Sequence, residues 1–163
     1  MARVLIVGCG CRGQALAREL LAAGHAVRGT TRDPARAAAI AASGAESFVG
    51  DPDRIATLME ALAGTSIVCW LFGTATGDPD AVGALHGPRL RMLCEKVVDT
   101  PVRGLVYEAA GTVGEGVLAG GREVADAAHR TWQIPLALLV TNPAEHERWL
   151  AEATASVRRL LDP

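Results

Sequence analysis

Short continuous apolar runs alternate along this chain with stretches whose apolar residues recur every three or four positions. Val4–Val7 is the first run and reads as a buried strand that stops at glycine. Gln14–Ala23 sets Leu16 and Leu20, with Ala17 and Leu21, at helical spacing, and Gly24 follows as a stop signal. Ala26–Thr30 reads as a second strand. Asp33 and Pro34 suit the N-cap and first position of a helix that runs to about Ser43–Gly44. Glu46–Val49 is a third, short strand. Residues 51–62 predict a helix with Ile55, Leu58, Met59 and Leu62 on one face. Ser66–Phe72 (SIVCWLF) is a fourth strand, apolar on both faces.

The stretch Gly73–Gly87 is glycine-rich and reads as a loop, at least in its first half. Leu90–Val98 predicts a helix and Val102–Glu108 a fifth strand. After a loop over Gly111–Gly116, Val117–Gln133 is mostly helical and Pro135–Val140 is a sixth strand. The last helix has Asn142 as cap, Pro143 at its first position and Glu145 at its third, close to a capping box. Its apolar face is Trp149, Ala153, Val157, Leu160 and Leu161. Apolar strands joined by helices, without repeat or linker, imply an α/β fold with a parallel sheet covered on both sides. Right-handed crossovers leave the doubly wound order 3-2-1-4-5-6 in one domain over residues 1–163, with no room for a separate substrate domain.

The composition removes several function classes. Half of the 163 residues are hydrophobic and 21% are charged, so the chain can build a core. A net charge of −2 without a basic block argues against a nucleic-acid partner. No uncharged apolar run reaches the length of a membrane span, and Val4–Val7 after Arg3 is too short for a signal peptide. The expected setting is therefore cytoplasmic, with the four cysteines as reduced thiols.

Gly8-Cys9-Gly10-Cys11-Arg12-Gly13 lies between the first strand and the first helix, the context that gives a G-x-G-x-x-G pattern its meaning. Gly8 permits the tight turn, Gly10 lets a pyrophosphate approach the backbone, and Gly13 lets helix and strand pack closely. The helix N-terminus then offers free N–H groups to the phosphates. A metal reading of Cys9-x-Cys11 is poorly supported, because Cys69 and Cys94 form no second pair and the histidines are scattered. Cys11, at a helix N-terminus, is a candidate oxidisable thiol, set against plain filling of the loop. The end of the second strand selects the cofactor. Thr30-Thr31-Arg32 suits a 2′-phosphate, Asp33 is better used as a cap, and Arg12 is a second candidate for the same phosphate. The expected cofactor is NADP(H) rather than NAD.

Over roughly residues 3–140 these features resemble the atypical short-chain dehydrogenase/reductases, close to their extended, epimerase-like branch. The parts are the glycine loop, Thr31-Arg32, Gly50-Asp51, Leu71-Phe72-Gly73 and the segment GLVYEAAGTVGEG. The resemblance implies that Asp51, with Pro52 beside it, holds the adenine. It implies that Leu71, Phe72 and Gly73 line the path to the nicotinamide ribose. It places Glu108, Ala109 and Ala110 facing the nicotinamide. A hydroxyacid-dehydrogenase reading shares the first fifty residues and explains the later segments less well.

The departure matters equally. Active members of the family use a tyrosine and, four residues later, a lysine that lowers its pKa. The single tyrosine here, Tyr107, is followed at that spacing by Gly111, and the single lysine, Lys96, precedes it. Ala109, Ala110 and Thr112 stand where an assisting serine is usual, so no catalytic residue is assigned. Two functions follow. One is an NADP(H)-binding sensor or regulator of a partner. The other is a small reductase passing hydride to a flavin, quinone or carbonyl acceptor, with His86 or Glu108 as a proton source. Trp132, Trp149 and the last helix are candidates for an oligomer face.

Overall fold

The computed structural model describes residues 1–163. Six parallel strands form one sheet: β1 (Arg3–Val7), β2 (Ala26–Thr31), β3 (Glu46–Val49), β4 (Ile67–Trp70), β5 (Leu105–Glu108) and β6 (Leu136–Leu139). Their order is β3-β2-β1-β4-β5-β6, the doubly wound order the sequence predicts. Five helices lie in the connections, α1 (Cys11–Ala22), α2 (Ala37–Ala42), α3 (Pro79–Leu85), α4 (Pro88–Val97) and α5 (Glu115–Trp132), and α6 (His146–Leu161) follows β6.

Alternation along each strand divides the core between the two faces. Val4 and Ile6 of β1 and Ile67 and Cys69 of β4 join Leu16, Leu20, Ile40 and the α6 face around Trp149. Leu5, Val7, Val68 and Trp70 face the other way, onto Leu58, Leu62, Leu90, Leu93 and Tyr107. Trp149 is fully buried, which removes it from the expected oligomer face and makes it a core residue. Trp132 remains partly exposed.

Two expectations are corrected. Residues 51–62 form only a 3-10 turn at Ile55–Leu58 followed by further turns, not an α-helix. Buried Arg28 of β2 donates to the last carbonyls of the segment, Glu60 O (3.3 Å) and Ala61 O (2.8 Å), which a helix would leave free. Thr57 Oγ1 donates to Arg54 O (2.7 Å), and Thr65 Oγ1 to Ala61 O (3.1 Å). Leu58 and Leu62 are buried as the spacing requires, whereas Met59 is exposed. At the other end, α6 starts at His146. Asn142 caps the preceding turn instead, its Oδ1 accepting from Ala144 N at 2.9 Å. Glu145 thus stands before the helix. The loop reading of 73–87 holds for its first half. Asp78 then caps α3 through Ala81 N (3.1 Å), with Pro79 at the first position.

Candidate functional site

The carboxyl ends of β1 and β4, where the chain turns to opposite faces of the sheet, leave a crevice above the glycine loop. Each glycine of the loop has a separate reason to be there. Gly8 has φ +82°, and a Cβ on it would lie 2.6 Å from Leu71 O. A Cβ on Gly13 would lie 3.1 Å from Ile6 Cγ2 and 3.3 Å from Cys9 Sγ, so this glycine sets how closely α1 packs on β1. A Cβ on Gly10 would meet nothing within 4 Å. That open backbone at the N-terminus of α1 fits a phosphate approaching the free N–H groups. Cys9 is buried under the loop and fills the space left by Gly13 and Gly29, and burial pushes its thiol up to about 12. Cys11 is exposed, so the two thiols face different surroundings.

The crevice is about 400 Å³ in volume. Of the residues expected from the sequence, it brings together Gly8, Cys9, Gly10, Arg12, Gly13, Thr30, Thr31, Arg32, Pro52, Leu71 and Phe72. Cys11, Asp51, Gly73 and Glu108 lie outside its lining. The carboxylate of Asp51 is turned to the backbone N–H of Asp53, at 2.9 Å. Gly73 is pressed against the β5 loop: a Cβ on it would collide with Ala110 O, and Gly73 O accepts from Val113 N at 3.0 Å.

At the β2 end, Asp33 caps the following 3-10 turn through Ala35 N (2.9 Å), as its sequence context suggests. Thr31, Arg32 and Arg36 line the cleft here, with Asp33 between them. Arg32 is more than half exposed and lies 3.5 Å from Asp53, whose other oxygen takes Arg89 Nε at 3.1 Å. Sequence reasoning missed Arg36, Gly50, Thr74, Ala75, Thr76 and Leu85 in the lining. The run Gly73-Thr74-Ala75-Thr76-Gly77 directly after a buried strand was the available signal for three of them. Leu85 arrives from α3 and carried none.

Arg12 does not point to the β2 end, as one expectation had it. Its guanidinium crosses to the ends of β4 and β5. It donates to Thr74 Oγ1 (3.0 Å) and to both carboxylate oxygens of Glu108 (2.8 and 3.0 Å), and its Cζ lies 5.4 Å from the Trp149 ring centroid. Glu108 is fully buried and also accepts from Gly73 N (2.7 Å) and Trp149 Nε1 (2.9 Å). Burial pushes its carboxyl up, and the Arg12 guanidinium opposes that shift. The carboxylate is thus enclosed by its donors and does not line the crevice. His86 is equally enclosed. Its Nε2 lies 2.9 Å from Phe72 O and its Nδ1 2.6 Å from the Tyr107 hydroxyl. A carbonyl only accepts, so Nε2 carries the proton and Nδ1 takes the tyrosine's. Burial lowers the pKa of this imidazole. Tyr107 and His86 therefore satisfy each other inside the core.

A doubly wound sheet with a glycine-turned helix N-terminus at its switch point defines a dinucleotide-binding protein of the Rossmann type. The chain belongs to the NAD(P)H-binding family, whose model matches residues 8–134, and a nicotinamide dinucleotide is its cofactor. Solved structures share the fold. A short-chain dehydrogenase/reductase superfamily protein from Agrobacterium tumefaciens with bound NAD superposes with a TM-score of 0.69 at 20% identity, over 83% of this chain and 48% of that one. Triphenylmethane reductase from Citrobacter sp., complexed with NADP(H), gives 0.63 at 20% identity, over 84% and 48%. A putative NAD-dependent epimerase/dehydratase from Bacillus halodurans gives 0.70 at 15% identity, over 88% and 71%. The chain thus spans about half the length of the first two. No curated protein matches the sequence. The resemblance to epimerase-like short-chain dehydrogenase/reductases holds at the level of the fold, and no helix is long and apolar enough to cross a membrane.

Proposed function

We propose that this chain binds NADP(H) in the crevice above Gly8–Gly13 and acts as a cofactor-sensing or regulatory module without tyrosine-dependent catalysis. The observation that carries the reading is the margin at the end of β2. Thr31, Arg32 and Arg36 line the cleft there, and Asp33, the nearest carboxylate in sequence, is committed to capping. Two guanidinium groups beside Thr31 suit a 2′-phosphate monoester, and they outnumber the one carboxylate on this margin, Asp33, whose Oδ1 is engaged by Ala35 N. When bound, the cofactor supplies a hydride. The chain's own acid–base candidates in this region, His86, Tyr107 and Glu108, are all buried and bonded to one another or to neighbours. This supports binding without proton transfer.

The test is a titration with NADPH and NADH, followed by nicotinamide fluorescence. NADPH is expected to bind more tightly. Arg32→Ala should weaken NADPH by about tenfold while leaving NADH nearly unchanged, the loss of one charge-assisted phosphate contact. No binding of either nucleotide overturns the reading. Turnover of NADPH with flavins, quinones or carbonyl compounds favours the small-reductase alternative instead.

A further inference from the structure

The most completely satisfied polar group outside the β2 margin is the Glu108 carboxylate, and every one of its donors comes from a different element. Arg12 comes from the first turn of α1, Gly73 N from the end of β4 and Trp149 Nε1 from the first turns of α6. A buried carboxylate at the end of a central strand is costly unless it is fully paired. Here the pairing fixes the one basic side chain of the glycine loop. Trp149 adds a ring face on which the guanidinium lies. The Arg12 side chain is still 22% exposed and lines the crevice beside Gly10. Its Nε is enclosed without a protein partner. Thr74, which accepts from Arg12 at 3.0 Å, keeps its own hydroxyl proton free and lines the same crevice.

We propose that Arg12 contacts the pyrophosphate shared by both nicotinamide dinucleotides, and that Glu108 and Trp149 are positioning residues that hold its guanidinium against the glycine loop. The last helix is then part of the cofactor site, although no residue of it lines the crevice. A guanidinium already bound to a buried carboxylate has lost its rotamer freedom before the ligand arrives. The second N–H of Nη1 and the Thr74 hydroxyl are left for phosphate oxygens, whereas Nη2 is held by Glu108 and Nε is enclosed. The proposal rests on a dinucleotide occupying this crevice. It does not depend on the preference for NADP(H).

The test measures NADPH and NADH affinities of the full chain for Arg12→Lys, Glu108→Gln, Trp149→Phe and the Arg12→Lys/Glu108→Gln double variant. Denaturant midpoints are measured on the same samples. Arg12→Lys keeps the charge but loses the two-pronged pairing. It and Glu108→Gln should each weaken both nucleotides by about tenfold, with the NADPH-to-NADH ratio unchanged. The double variant should bind no more weakly than Arg12→Lys alone, since Glu108 acts only through Arg12. Trp149→Phe keeps the ring and loses the N–H, and should weaken both nucleotides by a few-fold. A purely structural role predicts additive losses, or wild-type affinity in every folded variant, and either result overturns the proposal. A change in the NADPH-to-NADH ratio would also overturn it, because it would place Arg12 at the 2′-phosphate. If Glu108→Gln does not fold, Trp149→Phe binding like wild type is sufficient to overturn it. Wild-type protein that binds neither nucleotide refutes the dinucleotide site itself, a result separable from all of these.

Discussion

His86 shows how one residue can be lost to chemistry and gained by the fold. Sequence position set it near the expected cofactor edge, but it is buried between Phe72 O and the Tyr107 hydroxyl. The Tyr107 ring in turn lies against Gly121 of α5, where any Cβ would collide with the hydroxyl. The neutral imidazole has a pKa below its ordinary value, so the unfolded chain binds a proton more readily than the folded one. Stability from this residue is therefore full above the unfolded pKa of about 6.5 and declines as pH falls through it. Urea midpoints measured from pH 7.5 down to about 5.5 should fall, and His86→Gln should flatten that slope. An unchanged slope would mean that the imidazole titrates alike in the folded and unfolded chains.

At the scale of elements, α6 is tied to the sheet by its own side chains as well as by its apolar face. Glu152 accepts from Val140 N (2.7 Å), Thr141 N (3.2 Å) and Thr141 Oγ1 (2.8 Å), closing the end of β6. Glu152→Ala should lower unfolding free energy by about 1–2 kcal/mol, with Glu152→Gln recovering part of it. Most element identities were legible in the sequence, because strand runs and helical spacing speak for local structure. The exceptions share a cause. The 51–62 segment has a helical apolar spacing, yet Thr57 Oγ1 bonds back to Asp51 N, Asp51 O and Arg54 O and closes a turn there. Asn142 carries a cap signal and uses it one turn too early. The loop glycines were readable because their conformation is set by the backbone, and Thr31 and Arg32 line the crevice as their place at the end of β2 suggests. The direction of Arg12, the closure of Glu108 and the arrival of Thr74 and Leu85 depend on contacts across the sheet, which no local pattern encodes.

For the whole molecule, the crevice at the switch point is lined from both halves of the sheet, by Thr30 and Thr31 of β2 and by Leu71 and Phe72 after β4. A dinucleotide that binds only the folded chain raises its stability by mass action, about 2.7 kcal/mol at one hundred times its dissociation constant. NADPH should therefore raise the melting temperature, and NADH at equal concentration should raise it less. Equal shifts would remove the preference assigned to Arg32 while leaving the shared site standing.

The carboxylate held by three residues also sets a schedule. Glu108 meets partners 96, 35 and 41 residues away along the chain, so its enclosure is among the most non-local features of the fold. Contacts of such separation form late, after loop-closure entropy has been overcome. During synthesis, the glycine loop emerges long before Trp149 and cannot reach its final form until Trp149 has left the ribosome and docked. The motif is translated well before it can be finished.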